Sequence, residues 1–217
     1  LNRRYEKRGQ YCQRLADTAQ LCDALIEPSM QTPLAEIVQY VFLDRDGVLN
    51  KKMPEGRFVT TPQELVLCPG AAWATSRLNQ IGVKVILITN QRGVALGLYS
   101  EDELLAIHQR LGQLLAAEGA HLDGIYYCPH QRESCECRKP KPGMILRAFG
   151  EFAGADVNNS LMIGDSLSDI QTGHSIGMQT VFIEGDAATQ QAGPEIARAL
   201  ATYISPSLEE FVRGHFT

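Results

Sequence analysis

Two aspartates one residue apart, Asp44 and Asp46, stand where an apolar run, Tyr40-Val41-Phe42-Leu43, stops abruptly. A third, Asp165, ends a second apolar run at Gly164. Carboxylates converging from different strands, Asp44 and Asp165, make a hard oxygen site suited to magnesium, which takes few protein ligands and leaves room for phosphate oxygens. One of them can also serve as a nucleophile, because aspartate forms acyl-phosphate intermediates. Asp46, on the same turn as Asp44, is placed to protonate a leaving alkoxide and then to activate water. Thr89 and the amides around it can donate to phosphate oxygens, and Lys139 can neutralise their charge. Attacker, metal clamp and positioned positive charge are what phosphoryl transfer demands.

A second constellation is Cys128-Pro129-His130 followed by Cys135-Glu136-Cys137. In each half the two ligand residues are spaced so that an extended chain points them the same way, and a short loop can bring the halves together as a Cys3His tetrahedron. A closed ligand set of this kind is structural. Zinc would hold a loop too short and polar to fold alone, and Arg138 and Lys139 follow at once, so the metal would fix the lysine indirectly. His108, His121, His174 and His215 have no such company and read as ordinary helix or surface residues.

These residues need a frame that gathers them. The run at 40–43 is short, β-prone and unbroken, as expected of a strand buried on both faces of a parallel sheet. Gly47 lets the chain turn away while its backbone stays close to a ligand. Further strands are expected at 83–88, 123–128, 160–163 and 179–183. Between them helices are expected at 70–81, from Ser100 to about Glu118 behind a Ser100/Glu103 capping box, at 142–152 and at 167–176. Residues 51–67, with Pro54, Gly56 and Pro62, read as a long loop or small flap. A tail helix over 187–201 and a short last helix opened by Pro206 complete the pattern. Strand and helix alternation predicts an α/β fold, a Rossmann-like parallel sheet sandwiched by helices with right-handed crossovers. Every conspicuous polar cluster then falls at one edge, the carboxyl ends of the strands, where open α/β sheets place ligands.

Composition narrows the class. A hydrophobic share of 44% and a charged share of 21% are ordinary for a globular chain. The net charge of −5 argues against a nucleic-acid partner. No apolar run approaches the roughly 20 residues of a membrane span, so no membrane partner and a cytoplasmic home are expected. Of six cysteines, three cluster beside a histidine, which favours metal over disulfide, whereas Cys12, Cys22 and Cys68 stand alone. Residues 1–37 read as an appendage and linker before a domain at 38–217. Cys12, Leu15, Ala19, Cys22 and Ile26 make one apolar stripe on a helix, available for packing or docking.

Asp44-Arg45-Asp46-Gly47-Val48, Thr89-Asn90, the Arg138-Lys139 pair and Gly164-Asp165 through Asp169 resemble the four motifs of the haloacid dehalogenase-like phosphatase superfamily. The resemblance implies Asp44 as nucleophile and magnesium ligand, and Asp46 as general acid/base that also offers its backbone carbonyl to the metal. It further implies Thr89 as a phosphoryl contact, Lys139 as the group that steadies the intermediate, Asp165 as the remaining magnesium ligand and Asp169 one step behind it. The zinc loop, with Asn90-Gln91-Arg92-Gly93, Leu122 to Cys128 and Pro140 to Met144, is similar to the heptose 1,7-bisphosphate 7-phosphatases, whose relatives are the histidinol-phosphate phosphatases. That branch implies Mg2+, structural Zn2+, no large cap domain, a monomer, and a small phosphorylated sugar from lipopolysaccharide precursor metabolism. Asn90, Gln91, Arg92 and Arg138 would face that substrate.

Departures fall in regions that would touch substrate. Only four residues separate His130 from Cys135, which is closer to the histidinol type, and the flap carries Arg57-Phe58-Val59. Leu96 stands where an arginine is usual before Gly97, and Arg92 where a small residue is common. A histidinol-phosphate phosphatase would need an acidic or aromatic grip on imidazole, for which the flap offers Glu55 and Phe58. A non-catalytic docking module would have no need of both Asp44 and Asp46.

Overall fold

The computed structural model describes residues 32–186, 189 and 193–216. The helix expected over residues 12–26 lies outside them. A short helix, α1 (Leu34–Ile37), occupies part of the expected linker and leads into β1 (Tyr40–Leu43). There follow a 3-10 turn (Pro62–Glu64), α2 (Ala71–Gln80), β2 (Lys84–Asn90), α3 (Glu101–Ala116), β3 (Gly124–Cys128) and α4 (Gly143–Glu151). The chain continues through β4 (Ser160–Gly164), α5 (Leu167–His174), β5 (Gln179–Ile183), α6 (Pro194–Leu200), β6 (Tyr203–Ser205) and α7 (Leu208–His215).

All six strands are parallel, in the order β3-β2-β1-β4-β5-β6. Central β1 is wholly buried, and its alternate residues feed two cores. Val41 and Leu43 join Val85, Leu87, Leu161 and Ile163 on the face covered by α2, α3 and α7. Tyr40 and Phe42 join Ile86, Ile88 and Met162 on the face covered by α4. This two-residue alternation is why an unbroken apolar run is needed here: neither face of the strand meets water.

The sixth strand corrects the expected five. Tyr203–Ser205 pairs with β5 through Val181↔Tyr203, Phe182↔Ile204 and Ile183↔Ser205. Three residues are too few to display a period, so the strand is invisible without its partner. The tail helix, expected over 187–201, is described at Pro194–Leu200, where Pro194 occupies the first turn and thus loses no helical hydrogen bond. At α3 the capping box forms as read: Ser100 Oγ accepts from Glu103 N at 3.2 Å, and Glu103 Oε2 accepts from Ser100 N at 2.7 Å.

Register brings the chemistry together. Leu43 is paired with Leu87 on one side and Ile163 on the other, so Asp44, Asn90 and Asp165 leave adjacent strands at the same edge. Cys128, paired with Asn90, ends β3 beside them.

Candidate active site

Asp44 is anchored by its own amide, which donates to Ile163 O at 3.0 Å across β4. Its carboxylate meets those of Asp165 and Asp169, with one oxygen of each within 4.8 Å of the others. All three residues are buried. Lys139 Nζ stands among them, 2.7 Å from Asp44 Oδ1, 2.6 Å from Asp169 Oδ1 and 3.0 Å from Ile88 O. Burial works against the charge on Lys139, yet Asp169 and Asp44 outweigh it and hold its pKa above the usual lysine value. Burial pushes the Asp44 carboxyl up despite the opposing pull of Lys139.

Asp165 is pushed up to about 7 by burial and by its negative neighbours Asp44 and Asp169, although Lys52 pulls the other way. Lys52 comes from the flap, its Nζ 2.5 Å from Asp165 Oδ2. The other oxygen, Asp165 Oδ1, is buried without a hydrogen-bond partner. A buried acceptor left alone is uncommon in a folded protein, and a cation between Asp44 and Asp165 would satisfy it. The carboxylates therefore fit a divalent metal. Asp169 fits a supporting place better: Oδ2 accepts from Ser166 N at 3.1 Å and Ser166 Oγ at 2.6 Å, and Oδ1 faces Lys139.

Gly47 is required twice over at this edge. Its φ is +97°, and a Cβ there would collide with the carboxylate of Asp165.

Asp46 is held differently from Asp44. Burial raises its pKa, but Arg45 together with hydrogen bonds from Asn50, Arg45 and Gln91 more than reverses this, leaving the carboxyl below its ordinary value. Asn50 Nδ2 donates at 2.9 Å, Arg45 Nη2 lies 3.2 Å away and Gln91 Nε2 3.2 Å away. The two acids of one turn thus acquire opposite biases, one pushed toward the neutral form and one toward the charged form.

The Cys3His residues converge as their spacing suggests. Cys128 Sγ is 3.6 Å from His130 Nδ1 and 3.5 Å from Cys135 Sγ, and Cys137 Sγ is 3.3 Å from both His130 Nδ1 and Cys135 Sγ. Metal bonds of about 2.0–2.3 Å in a tetrahedron separate ligand atoms by roughly 3.3–3.8 Å, so the cluster fits zinc.

Residues 136–211 match the HAD-hydrolase-like family model. A D-glycero-alpha-D-manno-heptose-1,7-bisphosphate 7-phosphatase of Mycobacterium tuberculosis is 36% identical over 172 residues, covering 79% of this chain and 88% of the relative. The chain belongs to the haloacid dehalogenase-like phosphatase family. The corresponding beta-anomer enzyme of Vibrio cholerae is 36% identical over 180 residues, 78% of this chain and 92% of its own length. In structure the chain is similar to D,D-heptose 1.7-bisphosphate phosphatase from B. bronchiseptica, complexed with magnesium and phosphate. That match has a TM-score of 0.71 at 31% identity and covers 82% of this chain and 97% of the other.

Asn90 and Gln91, expected to contact substrate, make hydrogen bonds to neighbouring protein groups. Asn90 brackets the backbone of Lys139: its Oδ1 accepts from Lys139 N and its Nδ2 donates to Lys139 O, each at 3.1 Å. Gln91 is 1% exposed; its Nε2 donates to Thr89 Oγ1 at 2.9 Å as well as to Asp46, and its Oε1 accepts from Tyr99 at 2.7 Å. Both amides, expected to face substrate, are hydrogen-bonded to side chains or backbone at the carboxyl edge of the sheet. Their types favour this, because an amide can donate and accept at once.

Arg138 is half-buried, and its Nη1 is buried without a partner. Burial, with the positive charges of Arg92 and Arg132, lowers its pKa. Three arginines therefore share one side of the edge, Arg132 being an addition to those singled out in the sequence. His108 lies on a helix, α3, as one of the two expected placements had it. It is 4% exposed and lies against Arg45, not at the surface. The signal was present: on α3 it falls on the buried stripe Leu104, Ile107, Leu111 and Leu115.

No helix among the described residues is long and apolar enough to cross a membrane.

Proposed function

We propose that this chain is a magnesium-dependent phosphatase that removes the 7-phosphate of D-glycero-D-manno-heptose 1,7-bisphosphate through an aspartyl-phosphate at Asp44. The observation that carries the reading is the buried meeting of Asp44, Asp165 and Lys139, with Asp46 just beyond Asp44 on the same turn. The relatives that match most of the chain bear heptose bisphosphatase names, and these supply the substrate.

Asp44 and Asp165, with the backbone carbonyl of Asp46, would hold magnesium. When bound, the ion supplies positive charge to the phosphoryl oxygens. In the first step an Asp44 oxygen bonds to phosphorus, the bond from phosphorus to the sugar oxygen breaks, and Asp46 gives a proton to that oxygen; Asp46 must enter this step protonated, against the pull of Arg45, as the phosphate's negative charge beside it favours. In the second, Asp46 takes a proton from water as the water oxygen bonds to phosphorus, releasing inorganic phosphate and restoring Asp44. Thr89 offers its hydroxyl to the phosphoryl group, and Lys139 balances the negative charge on Asp44 and Asp169. Gln91 and Asn90 are positioning residues for Asp46 with Thr89, and for Lys139.

The arginines suit a substrate with a second phosphate. Arg138, with Arg92 and Arg132, concentrates positive charge that a 1-phosphate would neutralise by charge-assisted hydrogen bonds. Zinc at Cys128, His130, Cys135 and Cys137 would hold the loop from which Arg138 and Lys139 project. Thiols gathered as metal ligands, not as disulfides, support a cytoplasmic setting.

The test is phosphate release, with magnesium, from α- and β-heptose 1,7-bisphosphate, the corresponding 7-monophosphate and histidinol phosphate. Turnover of a bisphosphate anomer with a clear preference over the monophosphate is expected. Preference for histidinol phosphate, or indifference to the 1-phosphate, would overturn the sugar assignment.

A further inference from the structure

Arg45, between Asp44 and Asp46 in sequence, is a charged side chain only 1% exposed. Burying a guanidinium is costly unless its donors are used, and since Nε is buried without a partner the compensation falls to the two Nη groups. Nη2 reaches Asp46, 3.2 Å from Oδ1 and 3.1 Å from Oδ2. Nη1 points the other way, to His108 Nε2 on α3 at 3.4 Å. Arginine has no acceptor, so the contact requires a lone pair on Nε2 and places the imidazole proton on Nδ1, which is buried without a partner of its own. Tyr127 tilts over the imidazole, with ring centroids 5.8 Å apart. Asp46 is also held from the segment before α3, since Tyr99 fixes Gln91, which donates to Asp46 Oδ2.

We propose that His108 and Arg45 are positioning residues that aim the Asp46 carboxyl at the leaving oxygen: His108 fixes Arg45, and Arg45 fixes Asp46. A leucine at 108 would suit the apolar stripe of α3 equally well, so packing alone does not call for histidine. What histidine adds is an acceptor for a buried donor. Without it, Arg45 would turn toward another acceptor and draw Asp46 with it, and an ångström of displacement matters greatly to proton transfer.

The inference rests on Asp46 as general acid/base, and the experiment separates the two. The chain and its variants, with magnesium, are compared on heptose 1,7-bisphosphate and on p-nitrophenyl phosphate, whose leaving phenolate needs no proton. For His108→Leu we expect kcat on the sugar to fall about 10–100-fold with KM within about twofold. On p-nitrophenyl phosphate the first turnover stays fast and later turnovers slow, giving a burst of one phenolate per enzyme. His108→Gln, whose amide oxygen can accept from Arg45, should recover most of the rate, and Arg45→Lys should reproduce the burst. Asp46→Asn is the reference: a burst there sustains the acid/base reading, and full sugar turnover there would end it. If Asp46→Asn bursts while His108→Leu and Arg45→Lys turn over like the parent, the positioning role is wrong. Equal losses on both substrates without a burst, or no rescue by glutamine, would equally overturn it. Should His108→Leu fail to fold, His108→Gln and Arg45→Lys decide by the same readout.

Discussion

Replacing Lys139 by methionine keeps its length and apolar stem and removes one buried charge. In the native chain its ammonium faces Asp44 at 2.7 Å, Asp169 at 2.6 Å and a backbone carbonyl at 3.0 Å, and the residue is 4% exposed. Two carboxylates then lose their shared cation inside the protein. Breaking a buried pair from one side costs about 3–5 kcal/mol, because the stranded charge keeps its desolvation penalty. For a chain of 217 residues, each kcal/mol moves the midpoint by about 2–4 °C, so a fall of roughly 6–20 °C is expected. The assay is thermal and urea unfolding in magnesium-free buffer that leaves zinc in place. Lys139→Met with Asp169→Asn should lose less than the sum of the two single variants, by a coupling of about 1–3 kcal/mol, because one stranded charge has gone. A loss below about 1 kcal/mol in the single variant, or strict additivity in the pair, would refute the idea that Lys139 neutralises this cluster.

Burial, reinforced by Arg45, depresses His108 to about 3, so the unfolded chain, with a value near 6.5, takes up this proton first as pH falls. Stability should therefore drop by about 2 kcal/mol between pH 7 and pH 5 through this residue alone, and urea titrations of His108→Gln should lack that part of the decline. Lys52→Met should strengthen magnesium binding in calorimetry, since Lys52 Nζ competes with the ion for Asp165 Oδ2 in a nearly buried pair; weaker binding would mean that the lysine assists the metal. Elemental analysis should find one zinc per chain, and Cys137→Ser should lower that occupancy and reduce kcat, because the loop carries Arg138 and Lys139.

The parts of this molecule visible in its sequence are those where one residue type has one use. An uninterrupted apolar run has few destinations, and β1, β2, β4 and β5 all lie where such runs occur. Acids directly after such runs, and cysteine and histidine in paired spacing, mark the edge and the loop just as plainly. Side chains with two uses were harder to place. Asn90 and Gln91 carry amides that can meet a substrate or tie down a neighbour, and only the fold reveals that Lys139, Asp46 and Thr89 are within their reach. His108 looked ordinary because its partner, Arg45, is 63 residues away. Lys52 sits in a flap without periodicity, where spacing says nothing of direction. β6 exists through pairing to β5, an interaction absent from its own three residues.

The central claim is that Asp44 receives the phosphoryl group. The most direct measurement is rapid acid quench of the enzyme mixed with magnesium and heptose 1,7-bisphosphate, followed by mass spectrometry of the peptide spanning residues 40–50. A phosphoryl group on Asp44 is predicted, accumulating further in Asp46→Asn and absent from Asp44→Asn. Phosphate release by the native enzyme with no phosphoryl group on Asp44 at any quench time, or undiminished turnover by Asp44→Asn, would contradict the account.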